Sequence, residues 1–226
     1  LDHQEIDGGW GGIQPAMVNS TLALATFDGQ DEVVERGLAG MDGFGIERDG
    51  ILRLQACVSP GWDTPWTMLA LTEAGLPPDH AVLRTAARWL VGQQSLRVSD
   101  WALAAPGVPP GGWPFEFANT HYPDTDDTAL VLMALRCADL DSSTAQAAGL
   151  AWLLGMQNRD GGWAAFDREN YTRLVEEIPF SDFGEMLDPS SADVTAHILE
   201  VLGRLGYGLD EPHVRRGLDY LWREQE

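Results

Sequence analysis

Asp124-Thr125-Asp126-Asp127 places three carboxylates within four residues, between His121-Tyr122-Pro123 and the apolar run Thr128-Ala129-Leu130-Val131-Leu132-Met133-Ala134-Leu135. One Asp is enough to cap a helix, and each further like charge raises the cost of ionising its neighbours. Three acids so close therefore suit a carboxylic acid that keeps its proton, or a metal site, as well as a helix cap. A second constellation is Ser190-Ser191-Ala192-Asp193-Val194-Thr195-Ala196-His197, in which a Ser cap opens a helix. Asp193 and His197 stand four residues apart and share one helical face. A carboxylate there can orient an imidazole and, where the pair is buried, keep it protonated. Aromatic rings crowd irregular segments near these acids: Ser59-Pro60-Gly61-Trp62-Asp63-Thr64, Trp113-Pro114-Phe115-Glu116-Phe117 and Ile178-Pro179-Phe180-Ser181-Asp182-Phe183-Gly184-Glu185. Such rings pack cores, and around a pocket their π faces stabilise a cation.

Helices must carry these groups. Apolar residues recur at spacings of three and four over Thr21 to Phe27, Pro65 to Ala74, His80 to Gln94, Thr128 to Leu140, Thr144 to Gln157, Ala192 to Leu205 and His213 to Gln225. The chain is expected to be all-α. Pro123 favours an extended approach, so the acidic run sits where its helix begins. Two loops are close copies, Gln4-Glu5-Ile6-Asp7-Gly8-Gly9-Trp10 and Gln157-Asn158-Arg159-Asp160-Gly161-Gly162-Trp163, each with Gln six residues before Trp. Pro110-Gly111-Gly112-Trp113 after Gln93-Gln94 echoes them, and Arg223-Glu224-Gln225 resembles the start of another copy. Gly permits the tight turn beyond a helix and Gln can satisfy exposed backbone groups, so these loops read as structural clasps between stacked helical hairpins.

Composition narrows the function classes. With 35 acidic and 14 basic residues among 226, the formal net charge is −21, which disfavours nucleic acid as a partner because phosphate affinity rests on Lys and Arg. Cys57 and Cys137 lie in no CxxC or Cys/His pattern, so neither a disulfide framework nor a zinc site is expected. No run approaches the roughly 18 apolar residues of a membrane-spanning helix, and no leader pattern opens the chain. The chain starts at Leu1 and its last helical segment carries no stop signal, which leads us to expect a portion of a longer protein.

Taken together, Asp-Thr-Asp-Asp-Thr-Ala, the Gln-to-Trp loops, Ser59-Pro60-Gly61-Trp62-Asp63-Thr64, and Pro179-Phe180-Ser181-Asp182-Phe183-Gly184-Glu185 leading into Asp188 to His197 resemble the squalene-hopene cyclases, along essentially the whole chain. The resemblance implies a class II terpene cyclase built of α/α barrels around an apolar cavity. Residues 1–57 would end one barrel and 58–226 would form part of a second that carries the acid site. It implies proton-initiated cyclisation of squalene to hopene or hopanol, an isomerase reaction whose hydrated product is that of a lyase run in reverse. No cofactor and no metal are implied. Asp126 would be the general acid, Asp124 and Asp127 its supporting carboxylates, and His197 a partner oriented by Asp193. Phe115, Phe166, Phe180 and Phe183 would stabilise cations, Trp62 and Ile13 would shape the substrate, and Gln14 would belong to a terminating water network. The implied setting is the cytoplasmic face of a bacterial cell membrane, bound as a monotopic protein through parts outside this chain, with a homodimer as an open assembly. Phe166 stands where some relatives have Tyr, Ala192 where some have Glu and Cys57 where some have Ser, and none of these removes a catalytic group.

Other readings compete. A cyclase of a different polyprene, such as a sesquarterpene or diterpene, would keep the Asp run and differ in cavity shape. A helical-repeat binding module would need none of the acids. A metal-dependent prenyltransferase-like barrel would need a ligand set such as Asp, Cys and His, and no Cys lies near the Asp and His clusters in sequence, while an ionisation-initiated synthase would require magnesium at a different Asp-rich pattern.

Overall fold

The computed structural model of the chain describes residues 3–27, 29, 31–117, 119, 121–172, 175 and 187–225. Its elements in order are α1 (Gln14–Leu24), α2 (Asp31–Asp42), β1 (Gly45–Arg48), β2 (Ile51–Leu54), α3 (Pro60–Glu73), α4 (Ala81–Gln93), α5 (Trp101–Ala104), β3 (Trp113–Pro114), β4 (Pro123–Asp124), α6 (Thr125–Leu135), α7 (Ser143–Gly155), α8 (Ala192–Arg204) and α9 (Pro212–Glu224). Consecutive helices pack in pairs, α1 with α2, α3 with α4, α6 with α7 and α8 with α9, while α6 also lies between α3 and α8. The result is an inner row of α3, α6 and α8 with α4, α7 and α9 as their partners, the helical-hairpin wall of an α/α barrel.

Helix α6 is the centre of this wall. Thr128 to Leu135 carries no charge, and every residue from Asp127 to Leu135 is buried. A helix apolar on all sides has to be enclosed by others. Leu132 and Leu135 on this helix, and Leu83, Leu90, Leu153 and Ile198 from its neighbours, are among the fully buried side chains, each stabilising the fold by about 1.5–3 kcal/mol.

Three loops repeat one set of contacts. Gln4 Nε2 donates to the carbonyls of Gly8 (3.1 Å) and Val33 (2.9 Å), Gln94 Nε2 to Gly111 (2.7 Å) and Ala145 (2.8 Å), and Gln157 Nε2 to Gly161 (2.8 Å) and His213 (2.9 Å). Each Gln thus ties its own loop to the first turn of the next outer helix, α2, α7 or α9. The Trp ring of each loop rests on a glycine of that helix, Trp10 on Gly37, Trp113 on Gly149 and Trp163 on Gly217, where a Cβ would press against the indole. The Trp113 amide donates to Thr128 Oγ1 (2.8 Å) and the Trp163 amide to Thr195 Oγ1 (3.0 Å). These bonds lock the loops to α6 and α8, the helices that carry the acidic run and the histidine.

Several elements depart from the sequence expectations. Helix α1 starts at Gln14, seven residues before the expected Thr21, with Pro15 in its first turn. Helix α3 starts at Pro60 and not Pro65, because Pro60 is preset for the first helical position and Pro65 is tolerated inside the helix. Helix α2 and the β1–β2 hairpin were not expected at all. The hairpin closes on Asp49-Gly50, both with positive φ (54° and 73°), the two-residue turn that matches strand twist. Both cysteines are free thiols. Among the described residues no helix is long and apolar enough to cross a membrane.

Candidate active site

Asp124 is the N-cap of α6, with extended backbone (φ −106°, ψ 137°). Its Oδ1 accepts from the amides of Asp126 (2.7 Å) and Asp127 (3.0 Å), satisfying two of the donors that a helix start leaves open. The three carboxyls then diverge. Asp124 and Asp127 are turned into the protein, 8% and 1% exposed. Asp126 points toward α8, where its Oδ1 lies 2.7 Å from His197 Nδ1.

Burial and crowding hold protons on this cluster. Desolvation, followed by the charges of Asp124 and Asp126, pushes the Asp127 carboxyl up to about 9. Desolvation also raises Asp124, to about 7, against the two amide hydrogen bonds that favour its charged form. Asp126 is raised by burial too, with the His197 hydrogen bond and charge opposing the rise. One carboxyl therefore has a reason to keep its proton and a neighbour placed to stabilise the anion left when it goes.

Asp193 sits in the first turn of α8 and its carboxyl is held below the usual range, chiefly by the Ser191 hydroxyl. Ser191 is the N-cap residue by position, but its side chain makes no capping bond to the backbone. His197 Nδ1 is engaged by Asp126, and the charge of His197 adds to the lowering of Asp193. Trp62, in the first turn of α3, brings its ring to 6.5 Å from the His197 ring and 6.0 Å from Trp66. The three inner helices thus each contribute to one cluster.

A cavity of about 740 Å³ adjoins it, lined by Ile13, Phe115, Phe166 and Asp124 among others. Asp124 is the residue common to cluster and cavity. Ile13 bridges to Cys57 through the backbone, and Gln14 Nε2 donates to the Gln55 carbonyl at 2.7 Å, so both are held by the segment that follows β2. Phe180 and Phe183 lie outside the described residues.

Sequence reasoning overlooked Asp188. Its carboxylate accepts from three consecutive amides, Ala165 (3.1 Å), Phe166 (2.6 Å) and Asp167 (2.7 Å). It thereby sets the loop that holds Phe166 on the cavity wall, and its charge adds to the rise of Asp124. The one available signal was its place before Pro189, where the backbone is extended and the side chain is free to bridge. Thr125 completes the joint, donating from Oγ1 to the Ala164 carbonyl (2.6 Å) and from its amide to Ala165 (2.8 Å).

Residues 58–226 match the family model of the squalene-hopene cyclase C-terminal domain, and residues 1–50 that of the N-terminal domain. The whole chain is 44% identical to a squalene-hopene cyclase of Alicyclobacillus acidocaldarius, covering 37% of that protein. It is 40% identical to a dammaradiene synthase of Dryopteris crassirhizoma over 35% of its length. Over 91% of the chain it is 42% identical to a terpene cyclase-glycosyl transferase fusion protein of Humicola fuscoatra, covering 16% of that protein. The chain spans little more than a third of the length of the first two.

Proposed function

The chain belongs to the squalene-hopene cyclase family, and from that premise we propose that it supplies the acid and part of the cavity wall for cyclisation of squalene to a pentacyclic product of the hopene or hopanol type. The observation that carries this reading is the Asp126–His197 contact at 2.7 Å beside two buried carboxyls.

An alkene is a feeble base, so the acid must hold its proton at neutral pH and yield it to carbon. Burial of the carboxyl does the first. With hydrogen on Nδ1, His197 donates to Asp126 Oδ1 and leaves Oδ2 to carry the transferred proton. The terminal alkene takes that proton on its end carbon, its π pair forms the new C–H bond, and the adjacent carbon becomes a cation. The Asp126 carboxylate stays behind, held by the His197 N–H and by the start of α6. Each further alkene closes a ring on the cation. Phe115 and Phe166 offer π faces that lower its energy without bonding to it. Loss of a proton ends the sequence as an alkene, capture of water as an alcohol. Ring closure is assisted because the cavity holds the chain folded. The remaining parts of the reading are Trp62 and Ile13 as shaping residues, Gln14 as part of a terminating water network, Phe180 and Phe183 as wall, and a seat on the cytoplasmic face of the membrane.

The kinship with a dammaradiene synthase favours a second reading, in which the same acid starts cyclisation toward a different product. Gas chromatography with mass spectrometry separates the two. The full-length protein is incubated with squalene in detergent without added metal, alongside Asp126→Asn. A pentacyclic product from wild type alone supports hopene-type cyclisation, a tetracyclic one moves the product assignment, and equal turnover by both proteins removes Asp126 as the acid.

A further inference from the structure

Away from the proposed acid, Glu5, Asp7 and Glu116 bring carboxylate oxygens within 4.8 Å of one another. Glu5 and Asp7 belong to the first Gln-to-Trp loop and Glu116 to the segment after β3, so the cluster joins parts of the chain more than a hundred residues apart. Glu5 and Glu116 are each only 4% exposed, while Asp7 is open to solvent. Two oxygens already have donors: Glu5 Oε1 accepts from the Gly11 amide (2.9 Å) and Asp7 Oδ1 from the Gly9 amide (2.8 Å). Glu5 Oε2 is different. It is buried, receives no hydrogen bond from any N–H or hydroxyl, and would lie 3.2 Å from a Cβ on Gly9, on the side where Asp7 Oδ1 also lies. The Glu5 and Glu116 carboxyls are within hydrogen-bonding reach of each other. Two buried carboxyls can share such a contact only through a proton or a cation between them.

We propose that Glu5, Asp7 and Glu116 bind a calcium-type divalent cation that staples the first loop to the segment after β3. Three features favour a cation over a lone proton. The donors are all hard oxygens, the ligand class of Ca²⁺. Their oxygens all lie within 4.8 Å of one another, inside the roughly 4.6–5.2 Å that is the widest separation of two ligands on one Ca²⁺ ion at about 2.3–2.6 Å each. A cavity of about 100 Å³ lined by Asp7, Gly9, Gly12 and Glu116 adjoins the cluster and has room for the waters that complete its coordination. The role is structural and independent of the proposed catalysis, since neither Asp126 nor His197 belongs to the cluster.

The test is isothermal titration calorimetry of CaCl₂ into the chelator-stripped full-length protein at pH 7, with a melting curve at each calcium concentration. One saturable site and a melting temperature that rises with calcium are expected, with affinity reduced at least 10-fold in Glu5→Gln. Asp7→Asn, at a solvent-exposed position, keeps the fold and is expected to weaken binding several-fold, which guards against a Glu5 variant that fails to fold. No saturable binding by wild type would overturn the proposal in favour of a shared proton. Equal binding by wild type and Asp7→Asn would overturn it in favour of calcium adsorbed elsewhere on the acidic surface.

Discussion

Asp126 and His197 are 71 positions apart and meet at 2.7 Å, one at the start of α6 and the other in the second turn of α8. The contact is produced by two neighbouring repeats of the same loop. Trp113 ties its loop to Thr128 on α6 and Trp163 ties its loop to Thr195 on α8, in both cases within one turn of the reactive side chain. The loops are structural, and what they position is the Asp126–His197 pair.

His197→Phe keeps a ring of similar size and removes the Nδ1 contact. If the pair works as acid and anion stabiliser, kcat on squalene falls by about 10²–10⁴-fold while KM changes little. Because the acid must be protonated and its pKa is raised by burial, the rate of wild type is lost as pH rises. A rate and pH profile unchanged in His197→Phe would remove the histidine from the reaction.

Asp127 predicts a pH-dependent stability. Its carboxyl is near 3.9 in the unfolded chain and about 9 in the folded one, so its stabilising contribution is complete below pH 4 and is lost as pH rises toward 9. Asp127→Asn cannot ionise. Its melting temperature should exceed that of wild type at pH 8–9, by about 2–4 °C for each kcal/mol regained, and the two curves should converge near pH 4. Circular dichroism melts across that range check it, and parallel curves would show that Asp127 is already ionised in the folded protein.

Much of this arrangement was legible because helical periodicity and loop chemistry are local. The ends of α4, α7, α8 and α9 fall within a residue or two of the expected ones, and the acidic run sits at the start of α6 as expected, with Asp124 as the cap. Helix α2 escaped because Gly37 and Gly40 lower its helix propensity, although Gly37 is there to admit the Trp10 ring. The hairpin was signalled by Asp49-Gly50 and missed because its strands expose Ile51, Leu52 and Leu54 instead of alternating. Nor could spacing reveal that His197 faces Asp126, or that Asp188 holds three amides, since both depend on how separate hairpins stack.

The Trp-on-glycine contacts predict opposite effects for two glycines. A Cβ on Gly149 would collide with the Trp113 indole, whereas a Cβ on Gly203, exposed on α8, meets nothing within 4 Å. Gly149→Ala is expected to destabilise by about 1–3 kcal/mol through overpacking. Gly203→Ala should stabilise by about 0.4–1 kcal/mol, by restricting the unfolded chain. Denaturant titrations of both variants check the pair, and a neutral Gly149→Ala would mean that the Trp113 ring is free to move.

Asp188 is predicted to control product distribution more than rate. Removing its carboxylate in Asp188→Ala frees the amides of Ala165, Phe166 and Asp167 together, so Phe166 loses its fixed place on the cavity wall while the Asp126–His197 contact is untouched. A cation that depends on that ring then survives less well, and its competing deprotonation gains. The expected outcome is a several-fold larger share of incompletely cyclised products, with consumption of squalene falling by a smaller factor. Gas chromatography of the product mixture measures both, and Asp188→Asn, which retains one acceptor oxygen, should lie between the two proteins. An unchanged product ratio with a uniformly lower rate would instead assign Asp188 to the stability of the loop alone.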